Sequence, residues 1–226
     1  MGYIVVKTGE DVEIFEEEDF SADRDERYLH EIIEGNPWIV AREVTGRDAA
    51  TLASRLRLPS GELDLLLIDS AGDLILVELK RGRGHREAVA QLLDYASDLQ
   101  QMAEEELFRS SGARFSSLRE VFEEFYGGEQ EFGFEEFEEN FRRSLRDPRR
   151  IRLLLVSYRV GEDTIRLANW LRNFGIDVLC MEFEYFKGGD KEMFVPKLLT
   201  STEMLGEMEG CGLTRGKLHS GYGVDK

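Results

Sequence analysis

The stretch GELDLLLIDSAGDLILVELKRG, residues 61–82, decides the fold. Two runs of large apolar residues flank a turn-forming Ser-Ala-Gly-Asp segment at residues 70–73, and this pattern predicts a β-hairpin with two buried strands. Charged residues interrupt the apolar runs, with Asp64 in the first strand and Glu78 and Lys80 in the second. Since a buried charge is costly unless it is paired or bound to a metal, these side chains lie either at a sheet edge or in a functional site.

The turn predicts which side chains face each other across the hairpin. A three-residue loop over residues 70–72, with its glycine in the left-handed conformation, is a common hairpin solution and pairs Asp64 with Glu78. A loop of two or four residues would place Asp64 opposite an apolar residue instead. Lys80 is two residues beyond Glu78 and therefore shares its face. Two adjacent carboxylates repel each other unless a cation lies between them, and the candidate cations are Lys80 and a divalent metal.

Two carboxylates and a lysine have the chemistry that phosphodiester hydrolysis requires. Carboxylate oxygens hold Mg²⁺ or Mn²⁺ and leave coordination positions for water and a phosphate oxygen. A lysine can lower the pKa of the attacking water or stabilise the charge that develops on phosphorus. The D-x13-E-x-K spacing is compatible with this chemistry, and also with a solvated Asp-Glu-Lys cluster at a sheet edge.

The next predicted helix carries Gln91 and Tyr95, which are four residues apart and therefore lie on one face. The segments GELD, VELK and QLLDY, in this order and spacing, resemble the PD-(D/E)xK nuclease superfamily, and Q-x-x-x-Y is similar to its RecB-type and NucS-type branch. The resemblance covers about residues 23–100, and residues 151–186 are the expected completion of the core. Leu63 stands where the family usually has a proline.

The resemblance implies a mixed α/β fold with a restriction-endonuclease-like core, in which helices flank a central sheet. It also implies a Mg²⁺ or Mn²⁺ cofactor. The residues that it implies are Asp64, Glu78 and the main-chain carbonyl of Leu79 as metal ligands, with Lys80, Gln91 and Tyr95 as further catalytic residues.

The family also places an acidic residue on the first helix. If residues 38–44 form a strand antiparallel to the Asp64 strand, the preceding helix brings its N-terminus to the active end of the sheet. Glu26 lies near that N-terminus on the apolar side of the helix, whereas the later glutamates point away or lie nearer the far end. Glu26 is therefore our choice, and Asp25 is the alternative.

A basic loop follows the hairpin. Arg81, Arg83, His85 and Arg86 are placed to contact the backbone of a nucleic acid, and the intervening glycines would let the loop approach closely. A solvated turn is the alternative for this segment.

Four segments are expected along the chain. Residues 1–22 form short strands, and residues 23–106 with 150–187 form the nuclease core. Residues 107–149 form an acidic helical insertion whose phenylalanines, at helical spacing, predict aromatic packing between helices. Residues 188–226 form a C-terminal extension with a flexible tail.

Within the core, the sequence predicts element boundaries as well. We expect a first helix that begins near Asp23, with Glu26 completing a capping box. A strand is expected over residues 38–44, a loop or short helix over 46–60, and one helix over 85–106.

The net charge of −17 argues against a protein that coats nucleic acid non-specifically, but it leaves room for a local basic cleft. No apolar run reaches the roughly 18 residues that span a bilayer, and the N-terminus lacks the pattern of a signal peptide. We therefore expect a cytoplasmic protein with no membrane contact. A homodimer or a partner protein could supply part of the affinity for DNA.

The hypothesis is a metal-dependent nuclease that hydrolyses phosphodiester bonds in DNA, for repair, recombination or defence. Its alternative is a catalytically inert nuclease-fold module that binds nucleic acid or a protein. Degenerate family members usually lose an acid or the lysine. Here Asp64, Glu78, Lys80, Gln91 and Tyr95 are all present, which favours the enzyme. An RNA-directed nuclease is a third and weaker alternative, since nothing in the sequence recognises a 2′-hydroxyl.

Overall fold

A computed structural model describes residues 2–84, 86–126 and 133–200. The strands in these residues are β1 (Tyr3–Thr8), β2 (Asp11–Glu17), β3 (Ala49–Leu58), β4 (Gly61–Asp69), β5 (Leu74–Gly84), β6 (Arg152–Val160), β7 (Asp177–Gly188) and β8 (Lys191–Leu198). They form one mixed sheet in the order β1-β2-β7-β6-β5-β4-β3, with β8 paired to β7. The strand β4 runs antiparallel to both β3 and β5, whereas β6 runs parallel to both β5 and β7.

Helices cover both faces of the sheet, because its central strands are apolar on both sides. Along β4, Leu65 and Leu67 pack against one helical layer, while Leu66 and Ile68 pack against the other. The expected mixed α/β class, with helices flanking a central sheet, is confirmed. The first layer holds α1 (Phe20–Asp23), α2 (Glu26–Gly35) and α3 (Trp38–Thr45), and the second holds α4 (Arg86–Leu99), α5 (Glu104–Arg109), α6 (Leu118–Tyr126), α7 (Phe134–Arg146) and α8 (Glu162–Arg172).

The β4–β5 hairpin has the predicted register. Leu65 faces Val77, so the next pair towards the open end of the hairpin is Asp64 and Glu78. Gly72 closes the turn with φ 94°, the left-handed conformation that the three-residue loop requires. The turn therefore brings the two carboxylates of the motif opposite each other.

Three predicted elements of the core are wrong. The strand expected over residues 38–44 is helix α3. Pro37 is the N-cap of this helix, and Val40 and Ala41 form its buried face. The loop expected over 46–60 contains β3, whose alanines and arginines have little intrinsic strand preference and which forms by pairing with β4. The helix expected over 85–106 is divided into α4 and α5.

Helix α2 begins two to three residues later than predicted. The Asp25 carboxylate caps it by accepting a hydrogen bond from the Tyr28 N–H at 2.8 Å, so Asp25 and not Asp23 is the capping residue.

The insertion and the C-terminal extension both join the core. Aromatic packing between the insertion helices is confirmed, since the ring of Phe122 in α6 lies 5.5 Å from Phe134 and 5.3 Å from Phe137 in α7. The extension contributes β8 at the sheet edge. The tail that was expected to be flexible lies outside the described residues, which end at residue 200.

Candidate active site

The site begins where the pairing of β4 with β5 ends. The last pair of this ladder is Leu65 with Val77, one residue away from Asp64 and Glu78. Beyond this pair, the Asp64 side chain binds a main-chain N–H of β5. Its Oδ2 accepts a hydrogen bond from the Leu79 N–H at 2.8 Å. The Asp64 carboxylate is thus held against the backbone of the strand that carries Glu78.

Glu78 is the most unusual side chain of the site. It is 3% exposed, and its Oε1 accepts a hydrogen bond from the Lys80 ammonium at 2.6 Å. Its Oε2 is buried and has no hydrogen-bond donor among the described residues. Burial raises the pKa of Glu78 to about 7, and the nearby charge of Asp64 adds to this against the opposing effect of Lys80. A buried carboxylate oxygen without a donor fits a metal ligand, because a bound cation would satisfy it.

Lys80 and Asp64 respond to the same buried environment. Burial disfavours the charged ammonium of Lys80, but the hydrogen bond and the charge of Glu78 outweigh it and raise the pKa of Lys80. Burial raises the pKa of Asp64, although the Leu79 N–H partly opposes the shift. The cluster therefore holds one fixed positive charge beside two carboxylates that resist ionisation.

Helix α4 places Tyr95 next to the carboxylates. Burial and then the charges of Glu78 and Asp64 raise the pKa of the Tyr95 phenol. The phenol also packs against the start of β4, where a Cβ added to Gly61 would lie 3.0 Å from the Tyr95 hydroxyl. Gln91, one turn earlier on the helix, is exposed.

Helix α2 brings Glu26 to the end of β5 from the opposite layer. The Glu26 Oε2 accepts a hydrogen bond from the Arg81 N–H at 3.1 Å, and its charge raises the pKa of Asp64 and Glu78 as a minor cause. The topological argument for this position was wrong, because residues 38–44 are helical. The alternative candidate, Asp25, is the cap of the helix.

The basic loop is described only in part. Arg81 and Arg86 are exposed, and the main chain of β5 continues beside β6 after an irregularity between Lys80 and Arg83. The side chain of Arg83 and the whole of His85 lie outside the described residues.

Sequence reasoning missed a basic groove beside Glu26. It is open and polar, has a volume of about 380 Å³, and includes Arg24, Arg27 and Arg81 in its lining. The sequence signal for this groove is the pair of arginines, Arg24 and Arg27, at the start of the helix. Sequence reasoning also missed His30, which lies between apolar residues of α2 and contacts the main chain of Asp64 at 3.2 Å.

The residues present fit a hard divalent cation. Two carboxylates, one of them with an unpartnered buried oxygen, and the main-chain carbonyl of Leu79 between Glu78 and Lys80 are oxygen donors of the kind that Mg²⁺ and Mn²⁺ prefer. Among the described residues, at this site or elsewhere, no three side chains of His, Cys, Asp or Glu converge as a metal-binding group. None of the described helices is both long and apolar enough to cross a membrane.

The chain is similar in part to known endonucleases. A segment of 57 residues, 25% of this chain, is 42% identical to Endonuclease NucS of Aeropyrum pernix and spans 22% of that protein. A repair endonuclease from Pyrococcus abyssi superposes with a TM-score of 0.39 at 16% identity, over 78% of this chain and 64% of its own. The EndoMS–dsDNA complex gives a TM-score of 0.40 at 18% identity, over 80% and 65%. This chain thus spans less than two thirds of each of these relatives, and no family model matches it.

Proposed function

We propose that this chain is a metal-dependent nuclease that hydrolyses phosphodiester bonds in DNA, in repair, recombination or defence. The observation that carries the proposal is the Glu78 side chain, buried beside Asp64 with one oxygen bonded to Lys80 and the other without a donor in the described part of the chain. The partial identity with an endonuclease supports the same reaction class.

The proposed ligands of Mg²⁺ or Mn²⁺ are Asp64, Glu78 and the Leu79 carbonyl. When bound, the ion supplies Lewis-acid chemistry to a phosphate oxygen and to water. The Lys80 ammonium, fixed by Glu78 at 2.6 Å, donates hydrogen bonds to the attacking water or to the charge that develops on phosphorus. Tyr95 excludes solvent from one side of the carboxylates, because it is buried against them.

The remaining candidate residues would position the substrate. Gln91 is exposed one turn from Tyr95 and can donate to a phosphate or a base. Glu26 orders the end of β5 through the Arg81 N–H.

The DNA backbone would run over the basic loop. Arg81, Arg83, His85 and Arg86 are the proposed phosphate contacts, and the neighbouring groove with Arg24 and Arg27 extends the basic surface. The proposal includes a cytoplasmic location. It also includes a homodimer or a partner protein that adds affinity for DNA, since the overall charge of −17 repels the DNA backbone.

The alternative is an inert nuclease-fold module that binds nucleic acid or a protein. One observation favours it: the Lys80 ammonium already neutralises one Glu78 oxygen at 2.6 Å, as it would in a purely structural cluster. When metal and DNA are supplied together, the nuclease would cleave the DNA, whereas the inert module would bind it without cleavage.

The deciding experiment incubates the protein with labelled single-stranded and double-stranded DNA, and with RNA, in Mg²⁺, Mn²⁺ or EDTA. We expect cleavage of DNA with either metal, none with EDTA, and none from the Glu78→Gln variant. Glu139→Gln, on an exposed residue of α7, is the matched control and should cut like the wild type. DNA binding without cleavage in either metal would favour the inert module.

A further inference from the structure

We propose that His30 is a positioning residue that fixes the main chain of Asp64 by donating a hydrogen bond to its carbonyl. This inference rests on the proposed function, because it assigns His30 the task of presenting a metal-binding carboxylate.

Asp64 is not a paired residue in either of the ladders that flank it. In the β3–β4 ladder the register would place Arg55 opposite Asp64, but this pair is skipped between its two neighbours. Arg55 has φ 51°, in the left-handed region, which turns its peptide out of the strand pleat. On the other side, the β4–β5 ladder ends at Leu65. Asp64 therefore lies outside the regular pairing of both described ladders.

His30 contacts the main chain of Asp64 at this irregular position. It is 5% exposed, in the second turn of α2, and its Nε2 lies 3.2 Å from the Asp64 carbonyl oxygen. A carbonyl oxygen only accepts hydrogen bonds, so the nitrogen that faces it must carry the hydrogen.

The other side of the imidazole faces the Glu34 carboxylate, which accepts a hydrogen bond from Nδ1 when that nitrogen also carries a hydrogen. The His30 Nδ1 lies 3.2 Å from the Glu34 Oε2, and Arg114 of the insertion donates to the Glu34 Oε1. The Glu34 main-chain carbonyl accepts from the Thr51 hydroxyl at 2.9 Å, which ties this end of α2 to β3. A line of polar contacts thus runs from Arg114 through Glu34 and His30 to Asp64.

The contact gives Asp64 two fixed points. Its Oδ2 is held by the Leu79 N–H at 2.8 Å, and its carbonyl is held by His30 at 3.2 Å. With the main chain and one carboxylate oxygen both fixed, the remaining oxygen keeps one orientation towards the proposed metal position beside Glu78. Loss of the His30 contact would remove this donor from the Asp64 carbonyl and allow this segment of β4 to shift.

A matched pair of variants separates this role from general support of the fold. In His30→Gln the amide nitrogen falls near the position of the imidazole Nε2 and can still reach the Asp64 carbonyl. In His30→Asn it falls near the position of Nδ1 and can reach only Glu34. Mn²⁺ affinity is measured by calorimetry without DNA, cleavage by single turnover, and folding by thermal melting. We expect His30→Gln to stay within a few-fold of the wild type, and His30→Asn to lose on the order of 10- to 100-fold in both Mn²⁺ affinity and rate.

Equal Mn²⁺ affinities for the two variants would overturn the positioning role. If His30→Asn does not fold, Arg114→Ala replaces it, since Arg114 is 45% exposed and its loss leaves the core intact. A several-fold loss of Mn²⁺ affinity supports the line of contacts, and a wild-type affinity contradicts it. A wild-type protein that neither binds Mn²⁺ nor cuts DNA would instead refute the proposed function, on which His30 depends.

Discussion

The Leu79 main-chain N–H donates to the Asp64 Oδ2 across the hairpin at 2.8 Å, at the point where the regular pairing of β4 with β5 has stopped. The site therefore arises from the separation of two strands whose apolar parts are tightly paired. Up to Leu65 and Val77 the hairpin is core, and one residue further it presents carboxylates. The paired, apolar part of the hairpin therefore positions Asp64 and Glu78.

The apo protein should lose stability as the pH rises, because of Glu78. Its pKa in the folded state, about 7, is above the ordinary 4.5, so the folded protein binds the proton more tightly than the unfolded chain does. This contribution is fully present below pH 4.5 and is lost as the pH rises through 7. In Glu78→Gln the side chain is neutral throughout. We expect chemical denaturation without metal to show a smaller loss of unfolding free energy over this pH range than in the wild type. A larger loss would mean that the ionised carboxylate stabilises the fold.

Binding of Mn²⁺ should depend on pH in the opposite sense. The metal binds the ionised carboxylate and must displace its proton, so affinity should rise with pH up to about 7 and then level off. Calorimetric titration in buffers of different ionisation enthalpy would count the proton released. A Mn²⁺ affinity that does not change between pH 5.5 and 8 would show that metal binding does not displace the Glu78 proton.

Lys80 distinguishes a catalytic from a structural cluster. In the proposed enzyme the ammonium acts on water and the transition state, so Lys80→Ala should still bind Mn²⁺ but lose cleavage by several orders of magnitude. Lys80→Arg keeps the charge beside Glu78 and should restore stability but not the rate, because a guanidinium is broader and does not give up a proton. Melting curves and cleavage rates of both variants provide the test. An arginine variant that cuts at the wild-type rate would contradict the proposed role.

Gly72 tests whether the turn sets the register of the site. A Cβ at this position would lie 2.2 Å from the Phe137 carbonyl oxygen, and the φ of 94° is strained for any other residue. Gly72→Ala should therefore cost roughly 2–4 kcal/mol of unfolding free energy. Gly35→Ala, where the added Cβ meets nothing within 4 Å, is the control and should change stability little. If both variants unfold at the same denaturant concentration, the turn is not the constraint described here.

The hairpin register could be predicted from the sequence because one glycine and a three-residue loop determine it locally. The regions flanking the hairpin could not be predicted in the same way. The residues of β3 have little strand preference and form a strand only by pairing with β4, and residues 38–44 are rich in β-branched side chains yet bury a helical face. Tertiary contacts, which the sequence does not display, decided both.

The candidate site shows the same division. Asp64, Glu78 and Lys80 follow from strand periodicity, and Tyr95 follows from its place on the next helix. His30 could not be found in this way, because its proposed role depends on a contact with the Asp64 carbonyl, 34 residues away along the chain. A contact between residues so far apart along the chain leaves no periodic pattern in the sequence.

The basic loop should contribute most to the salt dependence of DNA binding. Arg86→Ala and Arg83→Ala should each weaken binding uniformly across sequences, and each should reduce the slope of log K against log salt by about one. Arg143→Ala is the control, since Arg143 lies on α7 beside Glu139, and α7 packs on the turn end of the hairpin. Fluorescence anisotropy over a salt series, in EDTA to prevent cleavage, gives the slopes. Slopes unchanged by both substitutions would place the phosphate contacts elsewhere.

Anomalous diffraction from crystals grown with Mn²⁺ tests the central claim most directly. The account predicts one strong anomalous peak within coordination distance of the Asp64 and Glu78 carboxylates and the Leu79 carbonyl, with the Glu78 Oε2 as a ligand. The peak should be absent from crystals of Glu78→Gln grown in the same way. A wild-type crystal in which Mn²⁺ binds only at other carboxylates, with Lys80 still bonded to Glu78 and no peak beside them, would contradict it.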